Sequence, residues 1–149
     1  MADDAVASIQ ATVLPDEIAK IISATMTVTP ADANHKWYYK LTSVSNSSTD
    51  LIAGNFIDYT AVDDDTAPTA VATGDKVKFI FIKNVDGNSR SIYIVLDAGT
   101  ASSSVGDGIT IGPNEFFCAR LPNTTVADIH AISSASTAEV IVAALLDDV

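Results

Sequence analysis

Cysteine, histidine and positive charge are all scarce in this sequence of 149 residues. Cys118 is the single cysteine, so no intrachain disulfide can form, and with only His35 and His130 beside it a structural zinc site is not expected. Eight Lys and Arg residues face 19 Asp and Glu residues, which gives a formal net charge of -11. Because clustered Lys and Arg hold phosphate backbones, this balance argues against nucleic acid as a partner.

Long apolar runs are missing as well. The longest, residues 140–146, falls far short of the ~20 residues that cross a bilayer as a helix, so no membrane partner is expected. Asp3 and Asp4 make the N-terminus acidic, whereas a secretory signal begins with positive charge. We therefore expect the protein to be made and released in a cytoplasm.

Strand signals are abundant. Alternating residues rich in Val, Ile and aromatic side chains predict strands at residues 25–29, 36–44, 76–84, 89–96, 108–111, 115–121, 126–132 and 138–146. Turn residues separate many of them at intervals of roughly ten residues, a spacing typical of sandwiches and barrels. The sequence therefore predicts an all-β fold, a jelly-roll-like antiparallel β-sandwich that forms one domain over residues 1–149.

One connection has a specific turn signal. The dipeptide Asp86-Gly87 separates the predicted strands at 76–84 and 89–96. Asp-Gly favours the tight two-residue turn of a β-hairpin, because both of its residues accept positive φ. We therefore predict that these two strands pair directly with each other.

The N-terminal region holds the one predicted helix. Pro15 occupies a first helical position, Asp16 and Glu17 follow in the first turn, and three isoleucines then share one face. These features predict a short helix over residues 15–22. Residues 1–14 alternate loosely and allow two interpretations, an N-terminal arm that adds a strand to a neighbouring molecule or the first strand of the chain's own sandwich.

The acidic run Asp63-Asp64-Asp65 does not form a recognisable calcium motif. An EF-hand loop starting there would need Gly at its sixth position and Glu at its twelfth, where this sequence has Pro68 and Gly74. We interpret the run as a solvated loop. No metal site and no cofactor are therefore predicted.

Catalytic groups are not assembled in any known pattern. The serines at 102–104 have no histidine near them in sequence, and His130 lies among apolar residues of a predicted strand. Cys118 sits between aromatic and small residues, where a buried, unreactive thiol is expected. No catalytic residue is predicted, and we expect a protein that is not an enzyme.

An aromatic cluster, Trp37-Tyr38-Tyr39, is the candidate for partner binding. Alternation in a strand places Trp37 and Tyr39 on one face and Tyr38 on the other. Charged residues make up only 18% of the chain and hydrophobic residues 48%, so apolar side chains should remain on the surface. Such surfaces mark interaction sites, and they favour association with copies of the same chain or with a larger assembly.

The second half of the sequence resembles small virion structural proteins of tailed bacteriophages, most of all capsid decoration or cement proteins. The similarity extends over residues 75–148. Its main segments are Lys-Phe-Ile-Phe-Ile-Lys-Asn at 78–84, Ser-Ile-Tyr-Ile-Val-Leu at 91–96, Gly-Ile-Thr-Ile-Gly-Pro-Asn-Glu at 108–115, and a closing strand rich in Ala and Val. The resemblance is one of β-sandwich style and includes no motif tied to chemistry.

The resemblance implies a non-enzymatic virion protein that binds the outside of a phage capsid and stabilises it. The implied partners are the major capsid protein and copies of the same chain, with a trimer preferred, and the implied location is the capsid surface. The alternative is a phage tail component or a host-glycan-binding module, which would use Trp37, Tyr38 or the Ser-rich loop near Ser102.

Overall fold

A computed structural model describes residues 4–32, 34–57, 69–106 and 108–149. The acidic run at 63–65 and Asp107 lie outside the described residues. The chain divides into two compact units, Met1–Ala33 and Asn34–Val149. Each unit is described by itself below.

The first unit is a β-hairpin. Strands β1 (Ala5–Val13) and β2 (Lys20–Val28) pair antiparallel over nine residue pairs, and a single 3-10 turn at Asp16–Ile18 lies in the connection between them. The helix predicted over residues 15–22 is therefore wrong, since β2 already begins at Lys20. Two turns of helix would have few hydrogen bonds, whereas pairing the β-branched residues of both strands satisfies a full ladder.

In the second unit, the described residues form eight strands and one further 3-10 turn, Val126–Asp128. The strands are β3 (His35–Val44), β4 (Thr49–Asp50), β5 (Lys76–Asn84), β6 (Ile92–Val95), β7 (Ile109–Ile111), β8 (Phe116–Thr125), β9 (His130–Ser133) and β10 (Ala138–Asp147). The strand predicted at 126–132 begins only at His130, because the Asp128 carboxylate accepts the backbone N–H and the hydroxyl of Thr125 and closes a capping box.

These eight strands form two antiparallel sheets, in the orders β3-β10-β5-β8 and β4-β9-β6-β7. Strands that follow one another in sequence lie in different sheets, except for β6 and β7, which pair with each other. This alternation is the strand order of an eight-stranded jelly roll, in which two Greek keys pack face to face. The predicted all-β, jelly-roll-like antiparallel sandwich is confirmed.

The core lies between the two sheets. Its largest fully buried side chains include Tyr38, Leu51, Ile52, Ile80, Ile82, Ile92, Ile94, Ile111, Ile129 and Leu146. Tyr38 points inward from β3, and its hydroxyl donates to the carbonyl of Ala53 at 3.1 Å. Burial raises the pKa of the Tyr38 phenol above its ordinary value, although its hydrogen bonds act in the opposite direction.

The connection after β5 crosses from one sheet to the other, so the hairpin predicted around Asp86-Gly87 is wrong. β5 pairs with β10 and β8, while β6 pairs with β7 and β9. Asp86 is buried, and its carboxylate accepts the backbone N–H groups of Asn88 and Arg90 at 2.9 and 3.1 Å. Gly87 does not adopt the positive φ that a tight hairpin turn requires there. The aspartate organises a corner between sheets.

Candidate interaction surface

The outer face of the β3-β10-β5-β8 sheet is apolar over most of its area. Because Tyr38, Ile80 and Ile82 point into the core, the residues that alternate with them point outward. We call this surface the aromatic face and define it as Trp37, Tyr39, Leu41, Phe79, Phe81, Phe116, Cys118, Ile141, Ala143 and Leu145.

Cross-strand register places these residues in rows. One row runs through Trp37, Leu145 and Phe79, and the next runs through Tyr39, Ala143, Phe81 and Cys118. A third row joins Leu41, Ile141 and Phe116, with Lys83 between the last two. The aromatic face is therefore continuous across all four strands.

The aromatic face has a buried floor and an exposed rim. Phe79 and Leu145 are only 4% and 2% exposed, whereas Tyr39, Leu41 and Phe116 are 57%, 58% and 52% exposed. Large apolar side chains with this degree of exposure are costly to leave in water when they adjoin one another. Their clustering makes this surface a candidate interaction site.

Two aromatic ring contacts order side chains of the aromatic face. The Trp37 and Phe79 rings meet edge to face with centroids 6.4 Å apart, and the Phe81 and Phe116 rings stack at 5.7 Å. Both geometries are favourable for aromatic pairs and limit the freedom of the side chains. These side chains would therefore lose little conformational freedom when a partner binds.

Charge on this face is nearly balanced. Lys83 and Arg120 project from β5 and β8, and Glu139 and Asp147 project from β10. The Lys78 ammonium lies 3.2 Å from the Asp147 carboxylate, so three positive groups meet two negative ones. The aromatic face is thus close to neutral in a chain whose formal net charge is -11.

Cys118 lies on the edge strand β8, at the end of the middle row of the face, and is half-buried. Burial raises the pKa of this thiol above its ordinary value, so the reactive thiolate is disfavoured. Its position among Phe81 and the other apolar side chains fits a small hydrophobic residue in a contact surface.

The three aromatic residues predicted for partner binding are divided between two environments. Trp37 and Tyr39 belong to the aromatic face, as strand alternation predicts, whereas Tyr38 is 1% exposed and belongs to the core. Sequence reasoning missed Phe81, Phe116 and the other members of the face. A signal was available in β5, where apolar residues occupy both alternating positions, a pattern of strands buried on both sides.

The opposite outer face, on the β4-β9-β6-β7 sheet, bears a shallow cleft of about 320 Å³. Its lining residues carry no charge and are mostly hydroxyl or amide groups around one aromatic ring: Asn46, Tyr93, Ser102, Ser103, Ile132, Ser133, Ser134 and Ala135. Tyr93 points outward because its strand neighbours Ile92 and Ile94 are fully buried. The cleft therefore presents one half-buried ring beside several hydrogen-bonding groups.

His130 is engaged away from the serine loop. Its Nδ1 lies 2.7 Å from the carbonyl oxygen of Gly99, and its Nε2 lies 3.1 Å from the Asp50 carboxylate. The Ser102 and Ser104 hydroxyls contact each other at 3.1 Å. Neither serine is paired with the imidazole, so this part of the chain does not present the arrangement of a nucleophile and its base.

The described residues contain neither a metal-ligand cluster nor a membrane-spanning helix. No cluster of three or more His, Cys, Asp or Glu side chains in those ranges could hold a metal ion. Within the same ranges, no helix has both the length and the apolar character to span a membrane.

Comparison with known proteins adds no relative. No family model matches this chain, and no curated protein or solved structure is detectably similar to it. Function must therefore be argued from the surfaces themselves.

Proposed function

We propose that this protein is a non-enzymatic virion structural protein that binds the outside of a phage capsid and stabilises it. The observation that supports the proposal most is the aromatic face, an ordered, neutral and apolar surface on a strongly acidic chain. The proposed partner, the major capsid protein, rests on the resemblance of residues 75–148 to capsid decoration proteins. The fold alone does not identify a partner, because jelly rolls occur in capsid proteins, lectins and enzymes alike.

The size of the aromatic face suits attachment in many copies. Four strands spaced by ~4.8 Å and five residues rising ~3.4 Å each give a surface of about 330 Å², so a partner would bury about 650 Å² in total. That area is below the ~1,000 Å² of stable specific complexes. On a capsid, repeated sites and contacts between neighbouring copies would raise the effective affinity without a larger interface.

The proposal also accounts for the acidic net charge of the chain. A net negative outer surface keeps finished particles apart, while the neutral face avoids repulsion where the protein meets the shell. Aromatic residues such as Tyr39 and Phe116 are of the type that dominate binding energy at protein interfaces.

The first test is mass spectrometry of purified particles of the phage whose genome encodes this chain. We expect a copy number comparable to that of the major capsid protein. A few copies per particle would instead place the protein in the tail, and its absence from particles would refute a structural role in the virion.

A second candidate function, a host-glycan-binding module, is favoured by the cleft around Tyr93. Neutral sugars are bound by an aromatic ring that stacks on their apolar face and by uncharged groups that hydrogen-bond their hydroxyls. Ser102 and Asn46 offer such groups beside the ring. The sequence predicts glycan binding through Trp37, Tyr38 or the Ser-rich loop near Ser102, and it does not point to Tyr93.

Tyr39 and Tyr93 separate the two functions, because they lie on the outer faces of opposite sheets. Tyr39→Ala should weaken binding to particles that lack the protein and leave binding to a panel of immobilised glycans unchanged. Tyr93→Ala should do the reverse. If Tyr39→Ala binds particles as tightly as the wild type, the aromatic face is not the capsid contact.

A further inference from the structure

The two faces of the β1-β2 hairpin differ in polarity. One face carries five hydroxyl residues and Gln10 beside Val6 and Ile21, and we call it the polar face; its Ser8 and Thr25 lie opposite each other with hydroxyl oxygens 3.3 Å apart. We call the other the hairpin's apolar face. Its cross-strand pairs are Ala5 and Val28, Ala7 and Met26, Ile9 and Ala24, Ala11 and Ile22, and Val13 and Lys20. Ile9 and Ile22 are 48% and 55% exposed there, whereas Val28 is only 5% exposed.

This hairpin needs a partner for its apolar face. Two-stranded hairpins are marginal in water, and units below about 40 residues depend on disulfides, metals or association. The unit Met1–Ala33 contains no cysteine, and neither strand pairs with a third strand among the described residues. A covering molecule would supply the burial that the hairpin lacks.

The pattern on this face is self-complementary. Four of the five pairs join one alanine to one larger residue, and the larger residue moves between strands, from Met26 on β2 to Ile9 on β1 and back to Ile22 on β2. The face is therefore a series of projections with alanine depressions beside them. A second copy, turned about a two-fold axis, can place its projections in those depressions.

Charge also favours a second copy. Lys20 is the only charged residue within the two strands, although the whole chain has a formal net charge of -11. Lys20 lies on this face beside Val13 at one end, so two copies related by a two-fold axis perpendicular to the strands keep their Lys20 side chains at opposite ends of the contact. The remaining repulsion is long-range and is screened by salt over ~10 Å at 0.1 M.

From these observations we propose that the apolar face of the β1-β2 hairpin, centred on Ile9, Ala24 and Ile22, is a contact between copies of this chain. Its area is about 300 Å² per copy from a length of ~30 Å and a width of ~10 Å, so two copies bury about 600 Å². That is below the ~1,000 Å² of stable specific complexes. Association is therefore weak in dilute solution and becomes effective where copies are held close together.

The inference deepens the proposed function, because a capsid surface would hold copies at such distances. Its test does not depend on a capsid. Failure of self-association would leave capsid binding through the aromatic face intact, and failure of capsid binding would leave the hairpin contact standing.

The test is sedimentation velocity of the full chain from micromolar to millimolar concentration, at low and high salt. We expect concentration-dependent association that strengthens with salt. Ile22→Lys should lower the association constant at least ~10-fold, because each contact contains the substituted residue twice. Ile21→Lys is the matched control, since Ile21 is the adjacent residue, lies on the polar face and is 68% exposed.

A second matched pair guards against local unfolding of β2. Ile9→Lys should weaken association as Ile22→Lys does, and Gln10→Lys, its neighbour on the polar face, should not. Thermal unfolding of all four variants would show that the jelly roll is unchanged. A wild-type chain that stays monomeric to millimolar concentration, or equal effects of Ile21→Lys and Ile22→Lys, would overturn the proposal.

Discussion

Asn84 is the residue whose loss should destabilise the jelly roll most specifically. It is fully buried at the end of β5, where the chain leaves one sheet for the other. Its side-chain amide donates to the carbonyl oxygens of Arg90 at 2.7 Å and Ile111 at 3.3 Å, and its Oδ1 accepts the backbone N–H of Asp86 at 3.0 Å. One side chain thus bonds three backbone groups, two in the corner at residues 86–90 and one at the end of β7.

Asn84→Ala removes all three hydrogen bonds and leaves their backbone partners without that contact. Each bond contributes about 0.5–1.5 kcal/mol net, and an unsatisfied buried group costs about 1–3 kcal/mol. We therefore expect the free energy of unfolding to fall by about 3–4 kcal/mol, a large share of the ~5–15 kcal/mol typical of a domain. Urea denaturation followed by the fluorescence of Trp37, the only tryptophan, would measure this.

Two further variants distinguish hydrogen bonding from packing. Asn84→Asp keeps the size and the Oδ1 acceptor but sets a carboxylate oxygen against two carbonyl oxygens, so it should destabilise the protein at least as much as alanine at neutral pH. Asn123→Ala, at an exposed position of β8, should change stability by less than about 0.5 kcal/mol. A loss below about 1 kcal/mol for Asn84→Ala, or a harmless Asn84→Asp, would refute the reasoning.

Three other outcomes follow from buried ionisable groups. Burial alone would raise the pKa of the Asp86 carboxyl, but the N–H groups of Arg90 and Asn88 and the Arg90 guanidinium outweigh it and hold the pKa below its ordinary value. Its contribution to stability is therefore present above about pH 4 and lost as pH falls through the lowered pKa, so the stability gap between wild type and Asp86→Asn should narrow in acid denaturation curves. The raised pKa of Tyr38 has the opposite sign: stability is complete below about pH 10 and lost as pH rises further, a loss that Tyr38→Phe should reduce in alkaline unfolding curves. Cys118 should react with a disulfide reagent more slowly than a free thiol at the same pH, and unfolding in urea should remove the difference.

The fold class could be predicted from the sequence because strand periodicity is local. The predicted strand at 76–84 coincides with β5, and those at 36–44 and 138–146 each miss only one terminal residue of β3 and β10. The pairing of strands, in contrast, is not determined locally. Asp86-Gly87 carries a hairpin signal, yet the buried Asp86 carboxylate and the Asn84 amide stabilise a crossing between sheets, and neither burial is visible in a two-residue motif.

The N-terminal helix was mispredicted for a related reason. The residues at 15–18 do begin a helical turn, as Pro15 and the carboxylates indicate, but it ends at Ile18. Ile21 and Ile22 then lie on opposite faces of β2, opposite Thr12 and Ala11 of β1. The spacing that suggested a helical face equally allows a strand with one isoleucine on each side, and nine cross-strand pairs decide in favour of the strand.

The candidate surface was only partly accessible to sequence reasoning. Alternation correctly separates Trp37 and Tyr39 from Tyr38, because that rule needs nothing beyond one strand. Assembling Phe81, Phe116 and their neighbours into one face requires the strand order and register. Those depend on contacts between residues far apart in sequence.

The two apolar surfaces of this chain share a physical logic that links them to its charge. A sheet with apolar residues on both faces is normally covered on both, and the β3-β10-β5-β8 sheet packs one of its faces on its partner sheet. The charges on its aromatic face nearly balance, and the hairpin strands contain Lys20 as their one charged residue, so most of the net charge of -11 resides on other surfaces. Free copies therefore repel one another at a distance and lose little to repulsion at these contacts, which is why we expect salt to strengthen association through either surface.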